Sequence, residues 1–302
     1  YAGLRERWLP LVRTGKIFGN ATNELNGRPV GGAEYETSIT ADGSNFRVTG
    51  TKYYCTGSIY ADFIGVHVVD GDGQLVRAMV PVSRDGIEVI DDWDGIGQIH
   101  SGSGTVRFDH VLVYPEEILP APVQQSGPQR VTGLAFAQLY LQAIMAGILL
   151  AVEDDAVALV RNRTRGFSHA PSVIPGDDPL LQETVGEISS AAFIARAAVL
   201  VAAEALDDAV NAATAGHPDA ALVHRASLAA ARVKVHVDVL ATDTATRLFD
   251  VGGASATRRG LDLDRHWRNV RTLQGHNPRS YKARAIGDHL INDVDLPANA
   301  FF

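Results

Sequence analysis

The chain has 302 residues, 46% of them hydrophobic, and a formal net charge of -8 from 35 acidic and 27 basic residues. That apolar share supports a large core in two packed subdomains, and the acidic balance shows no basic patch of the kind that holds nucleic acid. One cysteine, Cys55, excludes an internal disulfide framework and suits a reducing cytoplasm. Nothing reads as a secretory leader, and the longest apolar run, residues 143–152, is too short for a bilayer and carries Gly147 inside it.

Residues 2–12 read as a helix entered partway, so a preceding segment is expected. From residue 38 to 113 the period is that of strands. Residues 46–49 alternate apolar and polar, and residues 63–69, 75–80, 87–90 and 105–113 follow. Ala41-Asp42-Gly43-Ser44, Asp70-Gly71-Asp72-Gly73 and Arg84-Asp85-Gly86 are turn signals between them. Strands this short and this regularly punctuated predict a small antiparallel barrel or sandwich. Residues 115–128 carry four prolines and read as a linker.

The period then changes to that of helices. Residues 132–164 are rich in Ala and Leu. Residues 179–215 follow, with Asp178 as N-cap and Gly216 as stop. Residues 218–251 carry an apolar stripe at steps of three and four: Leu222, Ala226, Ala229, Val233, Val237, Leu240, Thr244 and Leu248. A fourth helix is expected over 266–291, broken near Pro278. The fold class is therefore α+β: a β-domain over 19–125, an antiparallel four-helix bundle over 126–302, and residues 1–18 as the remnant of something helical. Abundant alanine permits close helix approach and suits helices buried on more than one face, as in an oligomer.

Common site motifs are missing. There is no CxxC pair, no HExxH, no GxxxxGK[ST] and no GxSxG, and the Gly95/Gly97 pair lacks a strand-turn-helix context. Three stretches stand out instead. Gly19-Asn20-Ala21-Thr22-Asn23-Glu24 sets small and amide residues where backbone groups meet a polar ring, or else makes an ordinary turn. Gly50-Thr51-Lys52-Tyr53-Tyr54-Cys55-Thr56-Gly57-Ser58 offers an aromatic pair and hydroxyls that suit a flat heterocycle, or else cross-strand packing. Asp92-Trp93-Asp94-Gly95-Ile96-Gly97, followed by Ser101-Gly102-Ser103-Gly104-Thr105, adds an indole and a hydroxyl, or else makes a glycine-rich hairpin.

Taken in order, these stretches resemble the middle domain of the acyl-CoA dehydrogenases, where a Thr-Glu-Pro-type segment and a Gly-x-Lys-x-Trp-Ile-Thr-Asn-type strand line the flavin. Tyr54 stands in place of the Trp. Arg163-Thr164-Arg165-Gly166-Phe167 resembles the family's Arg-x-x-Phe-Gly region, Gln182 follows at a similar distance, and Phe249-Asp250-Val251-Gly252-Gly253 resembles its Gln-x-x-Gly-Gly turn. The resemblance implies a preceding helical domain and a homo-oligomer, most simply a tetramer. One departure separates branches. Asn277 stands where the dehydrogenases carry a catalytic Glu, and an amide cannot abstract a proton. Cys55-Thr56-Gly57, Trp93 with Ser103 ten residues on, and His276-Asn277-Pro278 are instead similar to the flavin-dependent monooxygenases of this fold, the dibenzothiophene-type oxygenases among them.

That branch implies reduced FMN delivered by a separate flavin reductase, and oxygen transfer to a small sulfur-, nitrogen- or aromatic-containing substrate through a C4a-hydroperoxyflavin. Thr56, Ser103 and His276 are then the catalytic candidates. Asn20, Tyr54, Cys55, Thr56, Trp93, Ser103, Arg163, Arg165, Phe167, Gly252, Gly253, Arg268 and Asn269 are the cofactor-binding candidates. No metal is expected. Bland rivals exist for several: His276 as a helix cap, the arginines as a solvated helix end, and Cys55 as packing rather than nucleophile. Two other functions remain open on the residues: an FAD-dependent acyl-CoA dehydrogenase, and a helical assembly protein that has lost its flavin.

Overall fold

The computed structural model describes residues 2–25, 34–119, 128–298 and 302. It divides into two compact units: Tyr1–Gly95 with Ile99–Gln124, and Ile96–Gln98 with Gln125–Phe302. The expected boundary at residue 125 falls outside the described residues.

The first unit is an eight-stranded sheet: β1 (Phe18–Ala21), β2 (Ser38–Asp42), β3 (Asn45–Lys52), β4 (Phe63–Val69), β5 (Leu75–Pro81), β6 (Ile87–Ile90), β7 (Thr105–Val113) and β8 (Ile118–Leu119). The strand order is β6-β7-β3-β2-β4-β5-β8, and β1 pairs with β4. Period-two burial is plain in β4, where Ile64, Val66 and Val68 are buried and their neighbours are not. They meet Val48, Val80, Val106, Phe108, Val111 and Val113 in one core. The sheet is mostly antiparallel, but β1 runs parallel to β4, and Ser38 of β2 pairs in parallel with Val69. β8 pairs with β5, so residues 118–119 of the expected linker are a strand, preceded by a single 3-10 turn at Pro115–Glu117. Two residues are too few to show a period. Helix α1 (Ala2–Arg13) lays Trp8 edge-on against Phe18 and Phe63, at centroid distances of 5.9 and 5.5 Å.

The second unit is helical: α2 (Pro128–Arg161), α3 (Pro179–Thr214), α4 (Ala220–Gly252), α5 (Asp264–Gln274) and α6 (Arg279–Asn292). Asp178 caps α3 by accepting from Leu180 N at 2.9 Å, and Asp219 caps α4. The stripe expected on α4 faces inward: Ala226, Val233, Val237, Thr244 and Leu248 are buried, and Leu222, Ala229 and Leu240 pack against the core. The last helix is two helices, separated at Gly275–Pro278, because Pro278 cannot continue the ladder of α5. By length and composition alone, Thr132–Arg161 and Pro179–Thr214 are apolar enough to cross a membrane. Neither carries a long unbroken apolar run, because Gln138 and Gln142 interrupt the first and Arg196 and Glu204 the second. Both pack against α4 in the bundle.

Candidate functional site

Within the sheet unit the three unusual stretches converge. The first two meet through backbone and side chain: Tyr53 N donates to Asn23 O at 2.9 Å, and Ser58 Oγ to Asn20 O at 3.3 Å. Their buried link is Lys52 Nζ to Glu24 Oε1 at 2.6 Å. Glu24 also accepts from Glu36 N, Thr37 N and Thr37 Oγ1. Burial alone raises the Glu24 pKa, but these donors and Lys52 outweigh it and hold the carboxyl at about 2. The Lys52 ammonium lies 3.9 Å from the centroid of the Tyr35 ring. Lys52 and Glu24 therefore act as the structural pin of the two stretches.

The second stretch meets the third. Cys55 N donates to Gly104 O at 3.0 Å and Gly57 N to Ser101 O at 2.9 Å. Above this frame the hydroxyls form a chain: Thr56 to Ser103 at 2.9 Å, and Ser101 to Ser103 at 2.8 Å. Tyr54 stands edge-on to Trp93 with centroids 6.2 Å apart, and is 52% exposed. Its φ of 55° places a bulky residue in the left-handed region, an outlier of the sort that clusters at functional sites. Gly95 is required here: a Cβ would lie 2.1 Å from the Trp93 ring, so only glycine lets the indole fold down. Cys55 lies in the core with burial pushing its thiol up to about 12, so it packs and does not react. Asn20 is exposed on β1.

The remaining candidates lie in the helical unit and fall into three places. Arg163 donates from Nε to Arg165 O at 2.9 Å and from Nη1 to Val251 O at 3.2 Å, and stacks over Phe167 at 5.5 Å. The Arg163–Phe167 segment and the Val251–Gly253 turn are thus joined. Arg165 is exposed and enters no ion pair among the described residues. Arg268 is held by Asp262 at 2.6 Å and Asp264 at 2.8 Å and donates to Ile96 O, while Asn269 Oδ1 accepts from Gln98 N at 2.7 Å. These two residues anchor the 96–98 segment. Gly97 fits because a Cβ would meet Arg268 O at 2.2 Å. The Gly95/Gly97 pair is therefore a device of close approach.

His276 sits in the break between α5 and α6. Its side chain is exposed on the chain taken alone, yet its surroundings are crowded. Partial desolvation and the charges of Lys234 and Lys282 lower its pKa. Next to it, Asn277 Nδ2 donates to Gln138 Oε1 at 2.6 Å, with both residues buried. One turn on, Gln142 is fully buried with neither amide atom hydrogen-bonded. The fully buried Lys234 and Lys282 and these glutamines were not singled out from the sequence, and Lys52 stood in a singled-out stretch without a role of its own. A lysine in a polar-looking text carries no signal of burial until its partner is known.

The aromatic and hydroxyl donor set of the sheet unit suits a flat, polar-edged ring, and the exposed Arg165 suits a phosphate. The comparisons agree with a flavoprotein. The family model for the acyl-CoA dehydrogenase C-terminal domain matches residues 139–280. A probable FMNH2-dependent monooxygenase, SfnC, of Pseudomonas putida is 30% identical, with 98% of this chain and 74% of the relative aligned. A dibenzothiophene monooxygenase of Rhodococcus qingshengii is 33% identical over 91% of this chain and 67% of its own. Among solved structures, FMN-bound TdsC from Paenibacillus sp. A11-2 superposes with a TM-score of 0.88 at 28% identity, covering 98% of this chain and 75% of that one. The fold is thus that of the acyl-CoA-dehydrogenase-like flavoproteins. Within it, the chain belongs to the flavin-dependent monooxygenase family and is an oxidoreductase.

Proposed function

We propose that this chain is the oxygenase half of a two-component system. It takes reduced FMN from a separate flavin reductase and uses O2 to oxygenate a small sulfur-, nitrogen- or aromatic-containing substrate. The observation that carries the reading is the Tyr54–Trp93 aromatic pair beside the Thr56–Ser103–Ser101 hydroxyl chain, assembled from two separate stretches. Bound FMN supplies the electrons that activate oxygen. Tyr54 and Trp93 wall the ring and exclude water, which protects a reactive flavin from wasteful loss of peroxide. Thr56 and Ser103 hydrogen-bond its polar edge. Arg165 pairs with the phosphate, since Arg163 spends Nε and Nη1 on carbonyls. Partial burial, with the charges of Lys234 and Lys282 behind it, favours a neutral His276, which is then free to accept a proton as a base.

The assembly is a homo-oligomer, most simply a tetramer. Phe193, Ile194, Leu200 and Val201 of α3 are exposed, and burying such an apolar face against another copy is favourable. A cytoplasmic setting, where a reductase and thiol-preserving conditions coexist, completes the reading. Asn277 speaks against the dehydrogenase: its amide is bonded to Gln138 and has no basic lone pair to offer.

The test is oxygen uptake with enzymatically reduced FMN across a panel of sulfides, sulfones, amines and phenols, reading oxygenated product per O2 consumed. His276→Ala is expected to bind FMN normally and shift most of its oxygen consumption to hydrogen peroxide. Bleaching of bound flavin by an acyl-CoA, or no flavin binding at all, would overturn the assignment.

A further inference from the structure

Two histidines that play no part in the flavin reading face each other inside the helical unit. His224 lies in the first turns of α4 and His289 in the last turn of α6. Their Nε2 atoms are 3.1 Å apart, their ring centroids 4.5 Å apart and their planes inclined at 53°. Both side chains are half-buried, so the pair is held by packing yet reachable from solvent.

The proton bookkeeping at this pair is constrained. His289 Nδ1 lies 3.0 Å from Val294 O, and a carbonyl can only accept, so Nδ1 carries the hydrogen. Neutral His289 therefore presents the bare lone pair of Nε2 to His224. This arrangement is built: α6 ends at Asp293 in the left-handed region, at φ 54°, which turns the chain so that Val294 O reaches back to the ring. A backbone carbonyl fixing the far nitrogen of an imidazole is the outer contact that metal-binding histidines characteristically carry.

The spacing has a second reading beyond one shared proton. Zinc–nitrogen bonds are about 2.0–2.1 Å, so two cis ligands stand about 2.9 Å apart in octahedral geometry and about 3.3 Å apart in tetrahedral geometry. The 3.1 Å between the two Nε2 atoms lies between those values. We propose that His224 and His289 form a two-imidazole site for a divalent transition-metal ion of the zinc, nickel and copper class, clipping the start of α4 to the end of α6. On binding, His224 takes the Nδ1–H tautomer, both Nε2 lone pairs turn to the ion, and no net proton need leave. Among the described residues no cluster of three or more His, Cys, Asp or Glu could hold a metal. Water or a ligand from another molecule thus fills the remaining positions, and the affinity is that of an accessory site rather than of a buried structural zinc.

The experiment uses the untagged full chain, treated with chelator and then titrated with ZnCl2 by calorimetry, and with Cu2+ under electron paramagnetic resonance. Wild type is expected to bind one ion, to melt at a higher temperature in its presence, and to show two-nitrogen coordination of copper. His224→Gln and His289→Gln are each expected to weaken binding at least about tenfold and lose the two-nitrogen signature, while His217→Gln keeps both. Circular dichroism of each variant guards against misfolding as the cause of a loss. Absence of stoichiometric binding in wild type, or binding and copper spectra unchanged in both pair variants, would show that the two rings share a proton and nothing more.

Discussion

Each unit of the chain buries a lysine–carboxylate pair, and the two pairs behave in opposite ways. In the sheet unit Lys52 meets Glu24 at 2.6 Å, and in the helical unit Lys234 meets Asp238 at 2.9 Å. Glu24 is held at about 2, well below the usual carboxylate range. Asp238 is pushed above its ordinary value because burial outweighs the attraction of Lys234. The difference lies in the other donors. Glu24 collects two backbone N–H groups and a hydroxyl, whereas Asp238 Oδ1 is buried with no hydrogen-bond partner. An adjacent cation is thus too little to keep a buried carboxylate comfortably charged, and hydrogen bonds to the anion decide the outcome.

The comparison breaks most visibly at Lys52. Lys52→Met leaves a buried carboxylate without its cation and is expected to cost about 3–5 kcal/mol, read by urea unfolding at pH 7. A loss under 1 kcal/mol (roughly the worth of an exposed pair) would mean that the Glu24–Lys52 link is peripheral. Smaller is the pH effect. Glu24 is depressed in the folded state, so its contribution is full above the unfolded value of about 4.3 and is lost as pH falls toward about 2. Asp238 has the opposite sign: stability from this group is lost as pH rises from the unfolded value of about 3.9 through its raised folded value. Glu24→Gln should flatten the acid limb of the stability curve and Asp238→Asn should steepen it; identical limbs in the two variants would remove the distinction. Least is expected from replacing the whole helical pair. Lys234→Met with Asp238→Leu removes both charges together and should change stability by less than about 1.5 kcal/mol in either direction.

The same contrast governs what the sequence made legible. Lys234 and Asp238 are four residues apart on one helix, but the text cannot tell whether that face looks inward until the other helices are in place. Strand β4 was readable from its run of apolar and β-branched residues, and the stripe on α4 because burial follows a local period. The parallel pairing of β1 with β4 was not, because Phe18 and Phe63 meet through topology across 45 residues. Of the site, Tyr54, Thr56, Trp93 and Ser103 could be named from residue type and family likeness, since aromatic and hydroxyl clusters near glycines are unusual as plain scaffold. Arg268 and Asn269 could be named, but not that they hold Ile96–Gln98, a role carried by backbone groups with no sequence signature.

That last grip sets a rule for recombining parts of this protein. A three-residue strap from early in the chain is grouped with helix α5, so no single cut separates the halves cleanly. A chimera joined near residue 125 would pair one parent's strap with another parent's helix, and Gly97, with no room for a methyl group beside Arg268 O, would become a compatibility requirement. Residues 96–98 and α5 should therefore travel together from the same parent.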